Sequence, residues 1–256
     1  MVLLKQGLFS PQYLISIKDI ASLDYITHNQ KEGLKIGALT THRKIEKSSI
    51  IKEKFGPLVK TVNGIGSIHI RNVGTIGGNL CHSDPSGDPA PTLIAMNAKV
   101  KAISLEGERT ILLEEFFKDY YETELKEDEI LTEIQIPSLP PNSFGTYTKY
   151  NLRGGGSNVV VKVAAFITME SEGKVCKDAR IVLGAVGATP IRAKRAEDLL
   201  KGQEISLDLV LKVGKVASEE CDPVSDVNGS EGYKREMVRV YTKNAIMECL
   251  KRAEIA

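Results

Sequence analysis

Gly64-Ile65-Gly66-Ser67-Ile68-His69-Ile70-Arg71-Asn72-Val73-Gly74-Thr75-Ile76-Gly77-Gly78-Asn79-Leu80-Cys81-His82-Ser83-Asp84-Pro85-Ser86-Gly87-Asp88 is the stretch that decides how this chain is read. Glycines alternate there with small hydroxyl and amide side chains, which predicts a loop-rich segment. Glycine lets a backbone approach a ligand closely and takes up positive φ. Successive backbone N–H groups in such a turn form an anion-binding nest. Thr75, Asn79 and Ser83 add neutral hydrogen-bonding groups, and Asp88 is placed either to cap a helix or to accept a bond from a ligand hydroxyl. The pattern points to a phosphorylated, hydroxyl-rich cofactor; the competing reading is a glycine-rich loop with no ligand. The segment contains neither G-x-G-x-x-G nor Gly-Lys-Ser/Thr, so the two commonest phosphate-binding fingerprints do not apply.

Outward from this stretch, short strand and helix patterns alternate. Tyr13–Ile17 and Leu34–Leu39 read as strands. From His42 to Val62 the apolar spacing is helical, with a break near Gly56-Pro57 and a cap at Thr40 or Thr41. Asp88-Pro89 starts a helix that runs to about Asn97, because proline at the first helical position has no N–H to lose. Lys99–Ser104 and Glu108–Leu112 form a hairpin turning at Glu106-Gly107. Glu114–Tyr121 is a short helix and Ile130–Ile136 a strand. The proline-dense run Pro137-Ser138-Leu139-Pro140-Pro141-Asn142-Ser143 reads as a boundary, which divides the chain into residues 1–138 and 144–256. Beyond it come the strands Thr146–Tyr150, Val159–Glu170 and Val175–Val186, then helices over Leu207–Glu220 and Tyr233–Arg252. Strands followed by helices predict an α+β fold.

Composition narrows the function classes. The 256 residues are 42% hydrophobic and 26% charged, an ordinary globular mix. No apolar run is long enough to span a bilayer, and the N-terminus lacks a secretory pattern. A net charge of +1 without charge blocks argues against a polyanion partner such as nucleic acid. Cys81, Cys176, Cys221 and Cys249 are scattered, which argues against a zinc finger or an iron–sulfur cluster and for a reduced, cytoplasmic chain. No Ser/His/Asp or Cys/His arrangement and no metal-ligating histidine pair stands out, so a bound cofactor is expected to carry the chemistry. His28, His42 and His69 read as structural.

Arg71-Asn72-Val73-Gly74-Thr75-Ile76-Gly77-Gly78-Asn79-Leu80-Cys81, with Asp84-Pro85 and Asp88, resembles the second FAD-binding loop of the molybdenum hydroxylase flavoproteins. These are the medium subunits of carbon monoxide dehydrogenase and xanthine dehydrogenase-like enzymes. Glu129–Pro137 is similar to the strand ending the family's FAD domain. Tyr147-Thr148-Lys149 with Arg153, and Ala179–Ala193, are similar to pieces of its C-terminal domain. The resemblance runs through the chain in order. It implies an incomplete FAD-binding domain of the PCMH (vanillyl-alcohol-oxidase-like) type, followed by a carbon monoxide dehydrogenase flavoprotein-type α+β domain.

By register, the resemblance implies that Thr75, Gly77, Gly78 and Asn79 face the ribityl and phosphate region of FAD, with His82, Gly87 and Asp88 continuing that contact. Leu131 would pack near the isoalloxazine and Lys149 near the ring edge. The family's first phosphate loop, of Ala-Gly-Gly type, has no counterpart, since Met1–Pro11 resembles the chain just after it. Arg153–Asn158 is read as the loop leading into the C-terminal domain and not as a substitute. The implied role is electron transfer through FAD, with a molybdopterin-binding large subunit and a 2Fe–2S small subunit as partners; the alternative is a degenerate relative that only scaffolds a complex. Uncovered apolar surface at Met1–Leu8 and Tyr13–Ile17 predicts self-association or pairing with a partner.

Overall fold

The computed structural model describes residues 10–152, 159–171 and 174–254, together with Leu4 and Gly7. The first sheet is antiparallel and built from β1 (Ile26–Asn29), β2 (Gly33–Gly37), β3 (Lys99–Ser104), β4 (Gly107–Leu112) and β7 (Ile130–Ile136), in the spatial order β1-β2-β7-β3-β4. Its middle strands pair Ile36 with Ile134 and Val100 with Ile134, so alternate residues deliver one apolar face. Six short helices lie between β2 and β3: α1 (His42–Lys47), α2 (Ser49–Lys54), α3 (Gly56–Asn63), α4 (Ile68–Val73), α5 (Ile76–His82) and α6 (Pro89–Ala95). Ile45, Ile51, Leu58, Leu80 and Leu93 from these helices share one core with Leu34, Val100 and Ile134 of the sheet.

The second sheet, β11-β10-β9-β8 in space, comprises β8 (Ser143–Asn151), β9 (Val159–Met169), β10 (Cys176–Gly184) and β11 (Ile191–Arg192). Three helices follow it or flank its last strand, α8 (Lys194–Leu200), α9 (Leu207–Glu220) and α10 (Glu231–Arg252). The two faces of β9 serve different cores: Ala164 and Phe166 join the core of the first half, while Val161, Val163, Ala165 and Ile167 pack with the three helices. A strand buried on both faces reads as a continuous apolar run, which is why Val159–Met169 shows no alternation. The fold is therefore α+β, and no helix among the described residues is long and apolar enough to cross a membrane.

Several expectations change. The Gly64–Asp88 stretch is not loop-rich: it holds α4 and α5, each opened by a hydroxyl cap, with Ser67 accepting from Ile70 N and Thr75 from Gly78 N. His42–Val62 breaks twice. Ser48 ends α1 and caps α2, and Gly56-Pro57 opens α3 instead of interrupting a helix. Glu114–Tyr121 divides into a one-turn helix α7 (Leu113–Phe116) and the small hairpin β5 (Phe117–Asp119) and β6 (Glu122–Thr123), whose turn holds Tyr121 at a φ of 59°, a conformation no right-handed helix continues through. Tyr13–Ile17 forms no strand; Tyr13, Leu14 and Ile15 carry no regular structure and are largely exposed, and no strand among the described residues pairs with them. Arg153–Asn158 and most of Met1–Leu8 lie outside the described residues.

Candidate functional site

Helix α5 is docked by its first turn onto the end of β2. Thr75 bridges to Thr41, Ile76 N donates to Thr40 O at 3.0 Å and Gly77 N donates to Ala38 O at 2.9 Å. Gly78 N donates to Thr75 Oγ1 at 3.1 Å, and Asn79 N to Thr75 O at 3.0 Å. All four amides of this turn thus have partners within the protein, which overturns the expectation of an anion nest here: the carbonyls after β2 and the Thr75 cap engage the donors that phosphate would need.

The two consecutive glycines do different jobs. A Cβ on buried Gly77 would stand 2.6 Å from Ala38 Cβ and 2.7 Å from Ala38 O, so Gly77 exists to let the helix touch the strand. Exposed Gly78 would meet only Thr75 Oγ1, at 2.9 Å, and leaves bare backbone at the surface without a positive φ. Asn79 carries its amide beside Gly87, with Oδ1 3.4 Å from where a Gly87 Cβ would be. Gly87 itself closes a tight turn, donating to Asp84 O at 2.7 Å. Thr75, Gly78, Asn79 and Gly87 therefore form one patch of hydroxyl, amide and open backbone. His82 is exposed at the far end of α5, with its ring 5.2 Å from that of Tyr121.

Asp88 leads inward from this patch. It occupies the N-cap position of α6, yet its side chain makes no capping bond. It is instead the buried hub of a cluster: Tyr147 Oη donates to Oδ1 at 2.6 Å, Lys149 Nζ to Oδ2 at 3.0 Å, and Lys162 Nζ lies 2.9 Å from Oδ1. Burial alone would raise the Asp88 carboxyl, but Lys162, Lys149 and the bonds from Tyr147 and Lys149 outweigh it and hold it below its usual range. Burial, then Asp88, push the Tyr147 hydroxyl well above its ordinary value. Burial draws Lys162 down to about 8 against the attraction of Asp88. Lys149 also donates to Gly64 O at 3.2 Å, so it is a member of this internal cluster and not a free lysine at a surface edge.

Leu131 is 4% exposed within the core of the first half. Its strand β7 runs beside α5, but the side chain faces the packed interior, as β alternation requires for a residue following exposed Ile130. Sequence reasoning missed Lys162, whose signal was a single charge inside an apolar strand, and underrated His42. The latter is 2% exposed beside Gly74, its Nδ1 has no partner among the described residues, and burial brings it down to about 4.

The surface patch fits the sugar-alcohol part of a flavin dinucleotide. Thr75 keeps its hydroxyl proton to donate, Asn79 offers an amide, and Gly78 and Gly87 hold no side chain over it. Comparison with known proteins agrees. Residues 1–139 match the FAD binding domain in molybdopterin dehydrogenase, and residues 147–249 match the CO dehydrogenase flavoprotein C-terminal domain. The glyceraldehyde dehydrogenase medium chain of Sulfolobus acidocaldarius is 32% identical over 246 residues, covering 96% of this chain and 86% of that protein. The medium chain of carbon monoxide dehydrogenase from Hydrogenophaga pseudoflava is 28% identical over 246 residues, 95% of this chain and 84% of that one. A solved structure of carbon monoxide dehydrogenase from the same organism is similar with a TM-score of 0.93 at 29% identity, over 98% of this chain and 86% of that chain. With both halves matched and the glycine–hydroxyl patch in place, the chain belongs to the FAD-binding medium subunits of the molybdenum hydroxylases, the family of the carbon monoxide and xanthine dehydrogenases.

Proposed function

We propose that this chain is the electron-transfer subunit of a molybdenum hydroxylase complex, receiving electrons from a 2Fe–2S small subunit and passing them through FAD to an external acceptor. Substrate oxidation then belongs to a molybdopterin-binding large subunit. FAD supplies the redox chemistry, and the protein supplies position and electrostatics. Thr75, Gly78, Asn79 and Gly87 meet the ribityl chain, His82 flanks it, and Asp88 with Lys149 supports it from beneath. Gly77 and Leu131 act through packing. Residues 1–138 and 144–256 are the two functional domains, and the cofactor lies on the first.

The observation that carries this reading is the half-open Thr75–Gly78–Asn79 patch, next to a buried, lysine-rich centre, in a chain of this family. Tyr13, Leu14 and Ile15, exposed by 83%, 71% and 83%, give an apolar surface that suits coverage by a partner subunit. The test is to tag the chain in its native cells, purify it gently, and record the absorbance spectrum, bound flavin and co-purifying subunits. We expect FAD together with a large molybdopterin protein and a small iron–sulfur protein. A complex with both partners and no flavin supports a scaffold instead. A clean 28 kDa monomer by light scattering, with neither flavin nor partner, overturns the proposal.

A further inference from the structure

Strand β9 is buried along nearly its whole length and carries one charged residue, Lys162. Alternation places that side chain on the face it shares with Ala164 and Phe166, toward the helices of the first half. There it is fully buried, lies 2.9 Å from Asp88 Oδ1 and donates to the carbonyl of Ser86. Asp88 already has an ionic partner, because Lys149 Nζ stands 2.9 Å from the same oxygen. A buried ammonium is expensive, and a packed apolar side chain on β9 would leave the Asp88–Lys149 pair complete. Stability therefore gives no reason for the second lysine.

The charge count gives one. Within ion-pair distance, two ammonium groups face one carboxylate. The Tyr147 hydroxyl stays neutral, His42 stays neutral, and Glu46 is shared between Arg43 at 2.6 Å and Arg71 at 3.1 Å, so it has no charge left to offset the lysines. Asp84, half-exposed on the loop, attracts Lys162 less than Asp88 does and offsets part of the excess. The centre beneath Gly87 and Asp88 thus carries more positive than negative charge. Preorganised charge in a dry site is felt far more strongly than the same charge in water.

We propose that Lys162 is a positioning residue for the flavin: it fixes Asp88 and the Ser86–Gly87 turn, and it leaves the centre under the cofactor with a net positive charge that favours the reduced form. The inference rests on the functional reading above. Reduction takes two electrons and one proton at neutral pH, so the flavin gains one negative charge. The electrons come from the iron–sulfur subunit and the proton from solvent. A fixed cation stabilises that product over the neutral oxidised ring.

The experiment compares Lys162→Met, Lys162→Gln and Lys162→Arg in the assembled, FAD-loaded complex by dye-coupled reductive titration, with thermal unfolding alongside. We expect both neutral variants to shift the equilibrium at least tenfold toward oxidised flavin, a fall of about 30 mV for a two-electron couple. Arg should stay within threefold of the unsubstituted protein. A neutral variant that folds but releases FAD, with retention by Arg, also supports the proposal. Unchanged potential in a folded neutral variant overturns it, whether or not the melting temperature falls, since a merely structural lysine would move only the latter. The Gln variant, which can still donate to Asp88 and Ser86, covers the case in which Met does not fold. An unsubstituted complex that holds no FAD fails the functional reading and this inference together; flavin with an unmoved potential fails the inference alone.

Discussion

At the scale of single residues, Gly77 is packed against Ala38 and Gly78 is open, so the proposed flavin site predicts different outcomes for their variants. Gly77→Ala drives a methyl into the Ala38 backbone, and overpacking of this kind costs about 1–3 kcal/mol. A clear loss of melting temperature is expected. Gly78→Ala meets only a hydroxyl oxygen at 2.9 Å, so the fold should survive while FAD affinity drops. Differential scanning fluorimetry and flavin fluorescence on the two variants distinguish these outcomes; equal effects on both readouts would refute the division of labour. His42 makes the acid side of the stability profile predictable. Its folded value of about 4 lies below the ordinary 6.5, so the unfolded chain takes up the proton first. Its contribution is complete above pH 6.5 and fades as pH falls toward 4, by at most about 3 kcal/mol. Urea midpoints between pH 7 and 4 should fall less steeply for His42→Gln than for the native chain.

Elements matter chiefly through how α5 begins. Thr75 is at once the N-cap, the bridge to Thr41 and a hydroxyl facing the patch. Thr75→Val keeps the shape and removes the oxygen that Gly78 N needs, so the helix start should loosen by about 1 kcal/mol. Thr75→Ser should restore both cap and flavin binding, and hydrogen exchange at the Gly78 amide would report the cap directly. Because the first-turn amides are engaged by Ala38, Thr40 and Thr75, inorganic phosphate should not protect α5 from exchange. Protection of that turn by millimolar phosphate would show that an anion can displace those bonds.

Across the whole molecule, the two halves are tied by charge and by a shared core. Tyr147, Ala164, Phe166 and Val182 of the second sheet lie in the core of the first half. Lys60 reaches Glu248 at 2.8 Å, and Arg192 reaches Glu114 at 3.1 Å. At the centre, Asp88 joins the loop between α5 and α6 to β8 and β9. Asp88→Asn leaves two buried lysines without their anion, and breaking such a buried pair costs roughly 3–5 kcal/mol. The melting temperature should fall sharply, and both halves should unfold in one transition followed equally by circular dichroism and tyrosine fluorescence. Two separated transitions would show that the shared core does not couple them.

What the amino-acid order determined by itself was local or periodic. The β3–β4 hairpin, the strand Ile130–Ile136 and the helix Leu207–Glu220 follow from alternation, helical spacing and caps within a few residues of one another. The segment proposed to meet the cofactor stood out because glycines and small hydroxyl or amide side chains cluster there in sequence, and Thr75, Gly78, Asn79 and Gly87 cluster in space as well. Tertiary structure alone decided which of those groups face outward. Gly77 and Gly78 are neighbours with identical chemistry, and only the approach of Ala38 makes one a packing glycine and the other open surface. Lys149 and Lys162 sit 13 positions apart and far from Asp88 in sequence, so their convergence on one carboxylate needs the β8–β9 pairing and the docking of α6 to exist first. Long-range charge and burial depend on that assembly, and no local pattern encodes them.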